Sequence, residues 1–277
     1  MNFSLVTNAA SKDAGRLKHF IPHWLRVFGD RLAEICVLVD PKPLEGRISD
    51  IHAVPPDLDA VRGVLRKLST QHPKVRWRDL DYRALDLVSR TWWTSGRPVR
   101  CHAGSPIFAF AASIMEAKSQ FVLRADCDML FYDSGWVAEA LAQLASDACD
   151  VVSPPRLGKL FPRFSSRAFM LDWPRFKTRN LPMKPARLDF LHSLPRWAFG
   201  QTSASGFEDT FVREIENGRI KHLLLTENFG RSIHVFFAEY ADANNFSTVL
   251  ARWEAGELPP AQLESGFDWN YCRDAWN

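Results

Sequence analysis

An α/β fold with a mostly parallel central sheet flanked by helices is what this sequence predicts. Three observations predict it. Strand-like and helix-like patterns alternate from residue 3 onward, the signature of βαβ units. Ile35-Cys-Val-Leu-Val39 is an unbroken apolar run, as expected of a strand buried on both faces. Polar, small or acidic residues follow the predicted strands, at the edge where such sheets bind ligands.

The first strand is predicted over 3–7, and 8–15 is a polar loop beyond its carboxyl end. Leu17, Phe20, Ile21, Trp24, Leu25, Val27 and Phe28 then recur at helical spacing. Pro22 interrupts the pattern, which places it in the first turn or at a kink. The strand 35–39 ends in Asp40-Pro41, a helix is predicted over 58–68 and a short strand over 74–77. Asp57 and Asp59 sit at that helix's start and read as caps. A helix over 107–118 leads into the apolar Phe121-Val-Leu of the next strand. Asp133-Ser-Gly caps a helix over 136–144, a strand at 150–153 is stopped by Pro154-Pro155, and 221–225 is a further strand. The tail from Ala241 is polar and aromatic and is expected to pack over the core.

Bulk properties narrow the function. A chain of 277 residues suits one large α/β domain or a core with an insertion. Its 46% apolar and 24% charged residues are ordinary for a globular protein, and a net charge of +3 is too small to imply nucleic acid. Five dispersed cysteines without a Cys-x-x-Cys point to a reducing compartment, with neither a disulfide framework nor a zinc site. The N-terminus carries no signal-peptide pattern, and the most apolar run, 106–115, is too short to span a bilayer. A cytoplasmic protein is expected, with peripheral contact at the inner face of a membrane left open.

The chemistry concentrates at Asp126-Cys-Asp128, directly after the strand that begins at Phe121. If the extended conformation continues through Asp128, both carboxylates project to one side. Such a pair suits a hard divalent cation that takes its remaining oxygens from water and a diphosphate. On the order of one Asp-x-Asp is expected by chance in such a chain. The sequence has three, but only Asp126/Asp128 follows both a predicted helix and a buried strand. Thr7, Asn8 and Asp40 fall along the same predicted edge, where a nucleotide is expected, although Asp40 also reads as a turn residue before proline. Arg100 lies in the stretch leading into the helix at 107.

Between Arg156 and Arg196 ten basic residues face only Asp172 and Asp189, interleaved with aromatics. This reads as a basic, aromatic insertion on the acceptor side, or as a solvated basic face over a small core. Gly206-Phe-Glu-Asp209 then places Glu208 and Asp209 near a helix start, where they either cap the helix or aim a carboxylate into a cleft. His234 precedes an apolar run, and a lone histidine is more often structural than a ligand.

Taken in order, these features resemble the GT-A glycosyltransferases that use nucleotide sugars, inverting and family 2-like. The resemblance covers most of the chain. It implies a Rossmann-like GT-A core with Asp126 and Asp128 contacting the ribose and a Mn²⁺ or Mg²⁺ ion, and His234 approaching the metal or leaving diphosphate. It further implies Asp40 as the acid that reads the base and Asp209 as the general base, with Glu208 positioning the acceptor or the loop. Thr7, Asn8 and Arg100 complete the expected donor contacts. The implied organisation is a nucleotide-sugar-binding half at 1–153, an acceptor-side half at 154–240 and a packed tail at 241–277. The expected donor is a UDP- or GDP-sugar, and the acceptor a saccharide or phosphate-bearing molecule. The loop 8–15 and the middle residue Cys127 depart from the commoner pattern, and no Gln-x-x-Arg-Trp motif of processive synthases is present.

Two alternatives stay open: a sugar-nucleotide pyrophosphorylase-like nucleotidyltransferase, whose glycine- and arginine-rich first loop is absent from 8–15, and a non-catalytic nucleotide-sugar-binding module. A phosphatase of the haloacid dehalogenase type is disfavoured, because its Asp-x-Asp belongs to the first strand and is followed by Thr, whereas Met129-Leu130 follows here.

Overall fold

The structure is a computed structural model. It describes residues 1–41, 56–90, 96, 98, 105–106, 108–131, 133–153, 155–156, 163–164, 167–179, 211, 214–225, 232–234, 251 and 254–255. Strand β1 (Phe3–Ala9), helix α1 (Ala14–Phe28), β2 (Leu32–Val39), α2 (Leu58–Gln71) and β3 (Val75–Asp79) form the opening βαβαβ run. Helices α3 (Tyr82–Ser89) and α4 (Ala109–Met115) precede β4 (Phe121–Ala125) and the short β5 (Met129–Phe131). Helix α5 (Gly135–Ala145) and β6 (Val151–Ser153) follow, with β7 (Pro155–Arg156) paired to β8 (Arg163–Phe164). Then come β9 (Ala168–Asp172), α6 (Trp173–Thr178), β10 (His222–Leu224) and β11 (Ser232–His234).

Seven strands make the main sheet in the order β10-β6-β9-β4-β1-β2-β3. All neighbours are parallel except at β9, which runs antiparallel to both β4 and β6. Every residue of β9 is buried. It comes from the stretch that reads as a basic insertion, so part of that stretch is the middle of the core sheet. Basic residues around it are likewise committed to structure. Arg175 donates to the Cys149 and Leu144 carbonyls at 2.7 and 3.1 Å, satisfying chain ends after α5, and Arg179 pairs with the buried Asp150 at 3.0 Å.

The two faces of the sheet bury separate clusters, as the period of two requires. On β4, Phe121, Leu123 and Ala125 join α1, α2 and α5, whereas Val122 faces α4, α6 and Phe211. Pro22 lies in the middle of α1, not in its first turn. Burial of Leu17, Phe20, Ile21, Trp24 and Phe28 on one face outweighs the single hydrogen bond that proline removes. Sequence caps hold: Asp57 accepts from the Ala60 amide at 2.8 Å, and Asp133 from the Gly135 amide at 2.6 Å. No helix among the described residues is long and apolar enough to cross a membrane.

Helix α1 also fixes β5. Trp24 Nε1 donates to the Met129 carbonyl at 2.7 Å, and His23 Nε2 to the Phe131 carbonyl at 2.8 Å. Burial pushes His23 down to about 4. Burial does the same to His222, which is bonded to the Ser153 hydroxyl at 2.8 Å and lowered to about 4. Both are neutral in the folded chain at pH 7, while the unfolded chain takes up their protons below about 6.5. Their contribution to stability is therefore complete above that value and is lost as the pH falls towards 4. Between pH 7 and 5 the loss is about 2 kcal/mol for each histidine. Urea unfolding at the two pH values measures it. His222→Gln should flatten the dependence, and a wild-type stability that is level over this range would contradict the assignment.

Candidate functional site

The parallel strands end level with one another. Ala9, Val39 and Asp79 are register partners across β1, β2 and β3. The backbone continues the alignment one residue further: the Asp40 amide donates to the Ala9 carbonyl at 2.7 Å, and the Leu80 amide to the Val39 carbonyl at 2.8 Å. Val6 of β1 pairs with Arg124 of β4, so Asp126 emerges at the same edge. Asn8, Asp40 and Asp126 are thus gathered by strand termination, as expected of a parallel sheet.

The extended conformation does not continue through Asp128. Strand β4 stops at Ala125, and 126–129 form a turn closed by the Met129 amide donating to the Asp126 carbonyl at 3.2 Å. The two carboxylates accordingly face different partners. Asp126, with its side chain about 31% exposed, pairs with the Arg124 guanidinium, which itself lies 4.3 Å from the centre of the Phe110 ring. Asp128 is buried, with its carboxylate 3.6 Å from Arg16 Nη1. The same nitrogen makes a closer pair with the buried Asp13 at 2.7 Å, and Asp13 also accepts from the Ala10 amide at 2.6 Å.

Asp13, Arg16 and Asp128 therefore tie the loop after β1 to the turn after β4. Burial alone would lower the Arg16 pKa, but the two carboxylates outweigh it and hold the guanidinium charged. Cys127, between the two aspartates, packs in the main core. Burial, reinforced by Asp13 and Asp128, pushes its thiol well above the ordinary range, so it stays protonated. Its odd place in the motif is a packing requirement.

Strand β11 pairs antiparallel with β5, and the register sets His234 opposite Met129, next in sequence to Asp128. The late histidine and the acidic turn, 106 residues apart in sequence, are neighbours on the backbone. Asn8 ends β1 with its Nδ2 donating to the Ala109 carbonyl at 3.1 Å, while its Oδ1 is buried and has no hydrogen-bond partner among the described residues. Thr7 is fully buried, with its hydroxyl turned to the Asn8 carbonyl at 3.4 Å. Asp40 is buried too, and its two carboxylate oxygens accept from the Tyr82 and Ser105 hydroxyls.

Arg100, Glu208 and Asp209 lie outside the described residues. Phe211, two positions after Asp209, is buried. Its ring stacks on Phe164 and Phe176 at 5.0 and 5.3 Å and tilts against Phe169 at 5.4 Å. Phe169 is in turn the register partner of Arg124 and stacks on Phe110. A continuous run of aromatic contacts thus links the segment after Asp209 to the guanidinium that pairs with Asp126. Arg16, Arg124, Tyr82, Ser105 and Phe211 were not singled out by sequence. Only the i, i+3 spacing of Asp13 and Arg16 offered a local signal.

No protein-family model matches the chain, and no curated protein matches it. Similar solved structures include a mannosyltransferase from Pyrobaculum calidifontis in complex with GDP-Man and Mn²⁺, at 13% identity and a TM-score of 0.47 over 81% of this chain and 55% of that one. The galactosyltransferase LgtC in complex with donor and acceptor sugar analogues is similar at 13% identity and a TM-score of 0.45, over 79% of this chain and 73% of that one. A 4-diphosphocytidyl-2C-methyl-D-erythritol synthase from Anaerococcus prevotii is similar at 10% identity and a TM-score of 0.44, over 91% and 97%. Likenesses this distant decide nothing about activity, which has to come from this chain's own residues.

Proposed function

We propose that this chain is a glycosyltransferase that moves a sugar from a nucleoside-diphosphate sugar to an acceptor hydroxyl, with Mn²⁺ or Mg²⁺ held at Asp126 and Asp128. The observation that carries this is the charge of the carboxyl edge. Asp13, Asp40, Asp126 and Asp128 gather at that edge, and the buried guanidiniums of Arg16 and Arg124 are paired with three of them, Asp13, Asp128 and Asp126. These two guanidiniums are thus committed to carboxylates of the edge. An anionic diphosphate is repelled there unless a cation bridges it to the carboxylates.

The donor set fits such a cation. Among the described residues no three His, Cys, Asp or Glu side chains converge as a ready cluster. Mg²⁺-type sites, however, commonly use one or two carboxylates and complete the shell with water and substrate phosphates. A carboxylate has about four lone-pair sites, so a guanidinium contact leaves capacity on each aspartate. Bound there, the ion would neutralise charge developing on the leaving diphosphate. His234, opposite Met129, would contact the ion or the diphosphate.

The chain's own residues supply the rest. Arg16, itself paired with Asp13, contacts Asp128, and Arg124 holds Asp126, so both carboxylates are oriented before the donor arrives. The buried Asn8 Oδ1 provides an acceptor in the middle of the edge, where a ribose hydroxyl would donate to it; the fully buried Thr7 supports Asn8 from below. Asp209 takes the proton of the acceptor hydroxyl as its oxygen bonds to the anomeric carbon and the bond to the diphosphate breaks, which inverts that carbon. Glu208 positions the acceptor or the loop, and Arg100 is a further donor contact. What recommends Asp209 is the anchoring of Phe211 against the aromatic run that ends at Arg124. UDP- or GDP-sugars are the first donors to test, with saccharide or phosphate-bearing acceptors. The test is metal-dependent binding of one nucleotide-sugar class, followed by its turnover.

A further inference from the structure

One helix grips the acidic turn at two points. Arg16, near the start of α1, contacts the Asp128 carboxylate at 3.6 Å. Trp24, further along the same helix, donates its indole N–H to the Met129 carbonyl at 2.7 Å, and Met129 directly follows Asp128. The Met129 amide is itself bound to the Asp126 carbonyl at 3.2 Å, the contact that closes the turn. Both backbone groups of Met129 are thus committed, one to the turn and one to α1. His23 makes the same kind of contact to the Phe131 carbonyl at 2.8 Å. Backbone groups alternate along a strand, so these two carbonyls share one edge of β5, and α1 covers that edge with side-chain donors.

The indole is held firmly enough to act as a fixed point. Trp24 is fully buried, and its ring packs against those of Phe20 and Phe131, each at 6.4 Å. Met129 is buried as well. Without the indole, its carbonyl could regain a partner only by rotating its peptide, because a buried acceptor is costly to leave unmade. That rotation would move the end of the turn, and Asp128 with it. A metal-binding carboxylate has to be held within about 0.5 Å of its productive place. We infer that Trp24 is a positioning residue for the cation site: by holding the Met129 carbonyl it fixes the backbone that carries Asp128 and pairs with β11 at His234. The inference rests on the metal-dependent function proposed above.

Trp136 of α5 supplies the control. It is buried in the same core cluster and stacks on Phe131 at 5.9 Å, but its indole nitrogen has no hydrogen-bond partner among the described residues. Trp136→Phe therefore removes the same atoms from the same core as Trp24→Phe and takes no donor from β5.

The test has two arms on the full chain. In the first, Mn²⁺ is titrated in the presence of UDP or GDP, and the free ion is read by electron paramagnetic resonance. Trp24→Phe should weaken Mn²⁺ binding about 10- to 100-fold, the usual effect of removing a group that orients a metal ligand, and Trp136→Phe should leave it unchanged. In the second, hydrogen exchange over 126–131 is followed without metal. It should quicken in Trp24→Phe and not in Trp136→Phe. Wild-type Mn²⁺ affinity in a folded Trp24→Phe, or an equal loss in Trp136→Phe, overturns the inference. Should Trp24→Phe fail to fold, Trp24→benzothienylalanine, which keeps the ring shape and lacks only the N–H, takes its place under the same criteria. A wild-type chain that takes up no Mn²⁺ with either nucleotide overturns the function on which the inference rests, whereas the exchange arm, made without metal, still decides whether Trp24 holds the turn.

Discussion

Asp209→Asn is expected to bind the nucleotide sugar as tightly as the wild type and to transfer it roughly 10²–10⁴-fold more slowly, the usual contribution of a positioned general base. The split between binding and turnover is the informative part. Asparagine keeps the shape and one acceptor oxygen but cannot take a proton, so only the step that moves the acceptor proton should suffer. The sequence pattern also predicts a helix start next to Asp209, where any acid would stabilise the helix dipole by a few tenths to about 1 kcal/mol. If capping were its whole role, Asp209→Asn would be nearly neutral, since asparagine caps about as well as aspartate. Single-turnover transfer at saturating donor separates the two. An active variant would move the base to another residue, with Glu208 next to be substituted.

Asp128→Ala should abolish the metal-dependent part of donor binding. The carboxylate removed is one of two acids in the turn after β4, and a divalent ion held by one or two carboxylates has little to spare. The variant should nevertheless fold. Arg16 keeps its closer partner Asp13 at 2.7 Å, whereas its contact to Asp128 is 3.6 Å. The guanidinium is therefore not left buried and unpaired, the situation that costs about 3–5 kcal/mol. Arg16→Met is the complementary variant. It strips the counter-charge from two buried carboxylates and should lower stability more than Asp128→Ala does. Donor affinity with and without Mn²⁺, read beside the thermal midpoint, decides the matter. Equal donor affinity in wild type and Asp128→Ala would remove the metal from Asp128.

How much of this was legible in the sequence depends on how local each cause is. β1, β2, β4 and α1 announce themselves because their apolar pattern is set by their own burial, and Asp57 and Asp133 because capping is a contact across two or three residues. β9 did not, since four apolar residues within a strongly basic stretch look like a small satellite core until their partners, β4 and β6, are known. Asp126 and Asp128 are singled out in the sequence by their place after β4, but their orientation is not, because a turn at 126–129 replaces the extended chain. Arg16 and Arg124 were missed for a related reason. A buried arginine and a surface arginine are the same letter, and burial is decided by α1 and α4 folding back over the edge. Asp40 shows the reverse case: its position was anticipated, while the hydroxyls that occupy it come from segments 42 and 65 residues further on.

The proposed function requires that the acidic edge bind a nucleotide sugar through a divalent cation. The most direct measurement is the thermal midpoint of the full chain against UDP-, GDP-, dTDP- and CMP-sugars, each with and without Mn²⁺. A ligand that binds only the folded state raises the midpoint by mass action, equivalent to about 2.7 kcal/mol at a hundredfold excess over Kd. A rise is expected with one nucleotide class, UDP or GDP first, and it should disappear when Mn²⁺ is withheld. A rise of equal size without metal would contradict the bridging role of Asp126 and Asp128, and no rise with any donor in a well-folded sample would contradict the transferase function itself.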